Sequence, residues 1–231
     1  MKEILFDDFK DEQFTKAVWR HDKPWGNISH KSFFTRWENV EFTEDGLRFF
    51  HTPLYKPFRG VETNSGMIML NTETAFQYGR FSAEITAPYG THCAFWLLSD
   101  VRQRGGIRSI LPELDVAEFG VENNKYQLNQ AIHYWMPDGQ FKRFNREYDD
   151  DDFKFKKQRN KLSIWLDGKH TYSVEINKLF TTFYIDGVRS FRILSRDSGS
   201  YLRPLFTHTH ANWQSNTHLE DVFLHSITIE Q

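Results

Sequence analysis

The chain has one cysteine, Cys93, in 231 residues. A lone thiol excludes an internal disulfide framework, so the core must hold the fold; one thiol suits a reducing compartment, and also an exported protein that uses no disulfides. Charge is nearly balanced, with 29 Lys and Arg against 31 Asp and Glu, a net of −2. That excludes a long-range field drawing the whole chain to nucleic acid or a membrane surface. There is no apolar run of about 20 residues to span a bilayer. Met1 opens no signal-peptide pattern, and no lipidation motif is present. No Pro/Gly/Ser-rich stretch divides the chain and no segment repeats, so residues 1–231 are expected to form a single domain. Helical periodicity is nearly absent too.

What is present is aromatic bulk and period-two alternation. Aromatics make up 16% of the chain, with 22 Phe and 7 Trp. Most of the Phe are expected in the core; spare aromatics suit clefts in which flat rings stack. In "RFSAEITA", Phe81, Ala83, Ile85 and Ala87 share one face, as in a half-buried strand. "HCAFWLLS" is almost continuously apolar, as in a central strand covered on both sides. "KLSIWLDG", "TYSVEIN", "TTFYIDG" and "LHSITIE" read as further strands. Asp-Gly pairs at 45–46, 138–139, 167–168 and 186–187 are hairpin-turn signals. Many short strands without a βαβ rhythm predict an all-β sandwich or jelly roll.

"PELDVAEFG" carries three carboxylates, Glu113, Asp115 and Glu118. Leu114 and Val116 share one parity, but beyond Val116 the apolar positions become Phe119 and Val121. One extra residue between Val116 and Glu118, a β-bulge, accounts for the flip. It turns all three carboxylates to one face and keeps the apolar residues in the core. Same-face strand neighbours lie about 6.5–7 Å apart, and carboxyls about 5–5.5 Å apart perform retaining glycoside hydrolysis. Like charges at that range raise at least one pKa, so one group can keep its proton. The competing readings of the bare pattern are a solvated acidic face or a calcium site.

The surroundings narrow the choice. "ELDVAE" fits E-[ILV]-D-x-x-E, and "SGMIMLNTETAFQYGRFSAEITAP" and "GTHCAFWLLSD" before it and "HTYSVEINKLFTTFYIDGV" after it match in order. With the N-terminal "ILFDDF", the chain resembles glycoside hydrolase family 16 in its bulged-strand form. The resemblance implies a concanavalin-A-like β-jelly roll of two stacked antiparallel sheets with an open concave cleft. It also implies endo-acting hydrolysis with retention: Glu113 as nucleophile, Glu118 as acid/base and Asp115 as the assisting carboxylate. Trp96, by the same resemblance, lies under the sugar at the cleavage point, or is a core Trp of a buried strand. His133 and Trp135 share one face of "QAIHYWM"; the family often has a His there near the acid/base, and a structural His beside a packed Trp is the alternative. Trp213 is a candidate cleft-wall aromatic.

The chain departs from the family in two places. Many members carry a Trp shortly before the catalytic Glu, and "GIRSILPELD" has none, which puts laminarin-type specificity in doubt. Its loop instead holds Arg102, Arg104 and Arg108. Arg binds sulfate or carboxylate bidentately, so Arg108 is a candidate reader of a charged glycan, against a merely solvated loop. "FKFKKQRNK" is basic but follows the acidic run 149–152 and is expected to be neutralised by it. His225 stands where the family often has a calcium-ligating Asp; a hard cation prefers oxygen, so no metal is expected, and carboxylate hydrolysis needs no cofactor.

The expected partner is a polysaccharide: a β-1,3- or β-1,3/1,4-glucan, or a β-galactan of the agar/carrageenan kind. No nucleic acid or membrane span is expected, and the chain is expected as a monomer. The family implies a secreted or periplasmic place. A glycan-binding module on the same fold and a transglycosylase are the alternatives; the complete carboxylate set favours an enzyme.

Overall fold

The computed structural model describes residues 1–21, 28–29, 31–35, 37–71, 76–99, 111–122, 125–135, 141–149, 168–195, 201–210 and 220–231. Its strands in chain order are β1 (Glu3–Asp7), β2 (Trp19–Arg20), β3 (Ile28–Ser29), β4 (Ser32–Phe34), β5 (Val40–Thr43), β6 (Gly46–Phe49), β7 (Thr52–Phe58), β8 (Val61–Ser65), β9 (Met67–Leu70) and β10 (Gly79–Thr86). They continue as β11 (Cys93–Ser99), β12 (Leu111–Glu122), β13 (Lys125–Trp135), β14 (Phe141–Asp149), β15 (Lys169–Ile176), β16 (Phe180–Ile185), β17 (Val188–Leu194), β18 (Leu202–His208) and β19 (Val222–Glu230). The alternating, central and C-terminal strands read from sequence are β10, β11, β15, β16 and β19. "KLSIWLDG" lies almost wholly outside the described residues.

Two large antiparallel sheets stack, as expected of a jelly roll. The back sheet runs β17-β16-β15-β10-β19-β6-β5, with β1 also paired to β19. The front sheet runs β14-β13-β12-β11-β18-β9-β2. The core fills the space between them. Phe81, Ile85, Val174, Phe183 and Ile227 meet Phe95, Leu114, Phe119, Leu128 and Phe206, all buried in one cluster. Rings bridge the layers: Phe119 of β12 meets Tyr172 of β15 edge-on at 5.2 Å, and Phe49 of β6 meets Phe206 of β18 at 4.7 Å.

A third sheet, β3-β4-β8-β7, was not anticipated. Its β4–β8 pair is parallel, and Phe34 from β4 covers Met67, Met69, Leu98 and Leu205 on the outer face of the front sheet. A helix, α1 (Glu12–Val18), was also missed. Seven residues carry too few turns for a periodic signal, and Asp11 starts the helix by accepting the Phe14 N–H at 3.0 Å.

Two Asp-Gly pairs do form hairpins. Asp186 and Gly187 have φ of 50° and 74°, the two positive values a type I′ turn needs. At β5–β6 the loop is Glu44–Asp45, and Gly46 opens the strand with φ 116°. A Cβ there would lie 2.4 Å from the Leu224 carbonyl oxygen, so only glycine fits. The pair at 138–139 lies outside the described residues, as does Asp167.

The N-terminal strand is pinned by a buried carboxylate. Asp7 accepts the Trp19 indole N–H at 2.8 Å, the Thr15 hydroxyl at 3.0 Å and the Phe9 N–H at 2.8 Å. Burial nevertheless raises its carboxyl above the ordinary value, so desolvation outweighs these bonds. Asp7→Ala is therefore expected to cost about 2 kcal/mol or more, since a buried donor left without an acceptor costs roughly 1–3 kcal/mol. Asp7→Asn keeps one acceptor but turns an NH2 against either the Trp19 or the Phe9 N–H, so it too should destabilise by about 1 kcal/mol or more. Urea denaturation of both variants checks this; a variant as stable as wild type would contradict it.

Candidate active site

The bulge is present. Against β11, Asp115 pairs Trp96 and Ala117 pairs Phe95, leaving Val116 as the extra residue. Against β13, Asp115 pairs Ala131 and Glu118 pairs Asn129, so Val116 and Ala117 together face Gln130. Leu114, Val116, Ala117 and Phe119 are all buried in the core. Glu113, Asp115 and Glu118 turn to the outer face, as the parity flip requires.

The carbonyl displaced by the bulge has a dedicated partner. The buried Gln130 amide donates to the Val116 carbonyl at 3.0 Å, and its own oxygen accepts from Ser190 of β17 at 2.5 Å. One glutamine thus satisfies the bulge and ties it to the opposite sheet, as a buried polar group requires.

The outer face forms rows across β11, β12 and β13. Leu98, Glu113 and His133 are in register, then Trp96, Asp115 and Ala131, then Ala94, Glu118 and Asn129. Ligand atoms of Glu113, Asp115 and His133 lie within 4.8 Å of one another, the one such group among the described residues that could share a cation. Its imidazole and one carboxylate oxygen already engage each other: His133 Nε2 meets Asp115 Oδ2 at 2.8 Å. Glu118 sits apart. Asn129 Nδ2 donates to its Oε2 at 2.8 Å, and His92 Nε2 faces its Oε1 at 3.8 Å.

The electrostatics split accordingly. Burial pushes Asp115 above the ordinary carboxylate range, with the Glu118 charge adding to it and His133 opposing it. Burial alone would raise Glu118 as well, but His92, Asn129 and the Arg143 charge outweigh it and hold that carboxyl at about 2. For His133, burial lowers the imidazole, yet Asp115 and Glu113 raise it overall. Neighbouring carboxyls whose environments push them apart are the arrangement on which acid–base assignments rest.

Of the other expected residues, Trp96 is on the outer face, half-buried, its indole N–H donating to Thr207 Oγ1 at 3.2 Å. It packs on the Phe34, Met67, Met69, Leu98 and Leu205 cluster, so it is not a tryptophan of the inter-sheet core. His133 stands at Asp115 and Glu113; the imidazole at Glu118 is His92. Trp135 is on β13, opposite Leu111, and its side chain is outside the described set. Arg108 and Trp213 lie outside the described residues, as do Arg102, Arg104 and the basic cluster at 154–161. His225 bonds the Asp45 carbonyl through Nδ1 at 2.5 Å and Thr86 Oγ1 through Nε2 at 2.8 Å. A carbonyl cannot donate, so Nδ1 carries a proton.

His92, Asn129 and Gln130 escaped the sequence reading. The parity of β11 held a signal for His92, four residues before Trp96 and on the same face.

The fold of two stacked sheets is shared with solved glycanases over nearly their whole length. An endo-glucanase from Bacteroides ovatus matches at TM-score 0.73 and 18% identity, covering 97% of this chain and 99% of that one. Porphyranase B from Zobellia galactanivorans matches at TM-score 0.76 and 16% identity, over 100% and 92%. The laminarinase catalytic domain from Thermotoga maritima matches at TM-score 0.72 and 12% identity, over 100% and 99%. A comparison with curated proteins returns no match. The model of the glycosyl hydrolases family 16 matches residues 31–209. The chain belongs to that family and is a glycoside hydrolase.

The two ladders make the bulge testable. With Val116 deleted, Ala117 would face Phe95 on one side and Gln130 on the other, so both ladders become one-to-one. The carboxylates would then alternate every two residues. The deletion variant is expected to fold, less stable by about 2 kcal/mol for the lost core side chain. A cooperative urea transition checks this; a variant without one would contradict the register.

Proposed function

We propose that the protein is a retaining, endo-acting β-glycanase in which Glu113 attacks the anomeric carbon, Glu118 is the acid/base and Asp115 assists Glu113. The observation that carries this is the turning of all three carboxylates to one outer face by the bulge, with separate partners for Asp115 and Glu118. In the first step Glu118 protonates the glycosidic oxygen as the Glu113–C1 bond forms. In the second, water gives a proton to Glu118 while its oxygen displaces Glu113. Asp115, raised and bonded to His133, stands between the two and orders the charge beside Glu113. Trp96, in register with Asp115, offers an aromatic face at the cleavage point.

The substrate is a β-1,3- or mixed-linkage glucan, or an agar/carrageenan-type galactan. The solved relatives are named as glucanase, laminarinase and porphyranase, and the missing Trp before Glu113 weighs against laminarin. His133, Trp135, Trp213 and Arg108 are the further residues proposed to touch the glycan.

Reducing-end release from laminarin, lichenan, agarose, porphyran and carrageenans tests this. One polymer class should be cleaved with retained anomeric configuration. Glu113→Gln should fall to background, and Glu118→Gln should fall about 10²–10⁴-fold. Cleavage by Glu113→Gln at the wild-type rate would sink the assignment, and tight binding without cleavage would restore the binding-module reading.

A further inference from the structure

A second imidazole belongs to this site. His92 is buried, 6% exposed, at the mouth of β11. Its Nε2 faces Glu118 Oε1 at 3.8 Å, while Asn129 holds the other oxygen. Its Nδ1 bonds Thr209 Oγ1, and the two backbones are tied by the Thr209 N–H to the His92 carbonyl at 2.9 Å. The ring is thus braced from β18 and directed at one carboxyl.

We propose that His92 is a positioning residue for Glu118, and that the pair holds one proton between Glu118 Oε1 and His92 Nε2. This rests on the reading of Glu118 as acid/base. Thr209 Oγ1 occupies Nδ1, which leaves Nε2 as the ring nitrogen that faces Glu118. With the proton on His92, Glu118 is a carboxylate, the form that takes a proton from water in the second step. With the proton on Glu118, Nε2 is an acceptor, and Glu118 is the acid of the first. Closing the 3.8 Å gap by about 1 Å brings the atoms to hydrogen-bond length.

Glu118 is an ionic partner of His92, and two further histidines lie near it. His208 on β18 and His51 before β7 act on it electrostatically. Burial holds His208 well below its ordinary value and His51 at about 4, so both are neutral near neutral pH. Arg143 on β14 acts on Glu118 from the far side. Removing the imidazole therefore removes the main force keeping Glu118 ionised.

The test is a ¹³C-carboxyl NMR titration of Glu118, its signal identified by loss in Glu118→Gln, in wild type, His92→Gln and His92→Phe. Thermal melts select the variants that remain folded. The Glu118 midpoint should rise by about one pH unit or more when the opposing charge is gone. The alkaline limb of kcat/KM should move the other way, because wild type loses activity only when the pair gives up its last proton, whereas the variant loses it when Glu118 alone does. A Glu118 midpoint unchanged in a folded variant would overturn the proposal, as would pH profiles that differ only in height. If wild type cleaves no glycan, the hydrolytic reading of Glu118 fails, and the NMR titration still decides whether the proton is shared.

Discussion

Strand parity is the constraint on which the rest of the structure depends. A regular β12 could not place Glu113, Asp115 and Glu118 on one face and Leu114, Val116 and Phe119 on the other. Bulging out the extra residue, Val116, resolves this, at the cost of a backbone carbonyl taken out of the ladder. Gln130 supplies the missing donor from inside the core, and Ser190 completes the glutamine from the opposite sheet. The site is therefore fixed to both layers of the sandwich. A change at Gln130 or Ser190 is a change to the backbone beneath the acids, though neither side chain reaches the outer face.

The same geometry separates the acids electrically. Three carboxylates in one row repel, and water cannot screen Asp115, which is 7% exposed. The chain gives each end its own imidazole: His133 serves Asp115 and Glu113, His92 serves Glu118. One carboxyl is driven up and another down, so the row does not behave as a single acidic patch. The raised carboxyl is Asp115 and the lowered one Glu118, so these surroundings favour Glu118 as a carboxylate, the form that takes a proton.

Much of this was legible in the sequence because period-two alternation is a local property. The parity flip between Val116 and Phe119 located the bulge to within one residue, the extra residue being Val116 itself, and the Asp186–Gly187 dipeptide sufficed for its turn. What escaped depends on which strands become neighbours. Thr209 meets His92 only because β18 lies beside β11, and Gln130 meets Ser190 only across the core. Helix α1 escaped for another reason: seven residues define no periodic face, and Asp7, Thr15 and Trp19 acquire their meaning only as one hydrogen-bonded set. Phe34 gave no sign that a third sheet would cover part of the outer face.

That third sheet limits where a glycan could lie. Phe34, Met67, Met69 and Leu205 seal the outer face over β9 and β18, and Trp96 stands at the seam between this apolar roof and the acids. Beyond the acids, toward β14, the described side chains are polar: Arg143 and Glu147 are exposed and paired at 3.6 Å, with Asn145 donating to Glu147 at 2.6 Å. On the proposed glycanase reading, a sugar chain crossing the carboxylates would have the apolar seam on one flank and this polar row on the other. The two flanks ask for different chemistry: an aromatic face rewards the flat C–H side of a pyranose, while the Arg143–Asn145–Glu147 row rewards hydroxyls or anionic substituents.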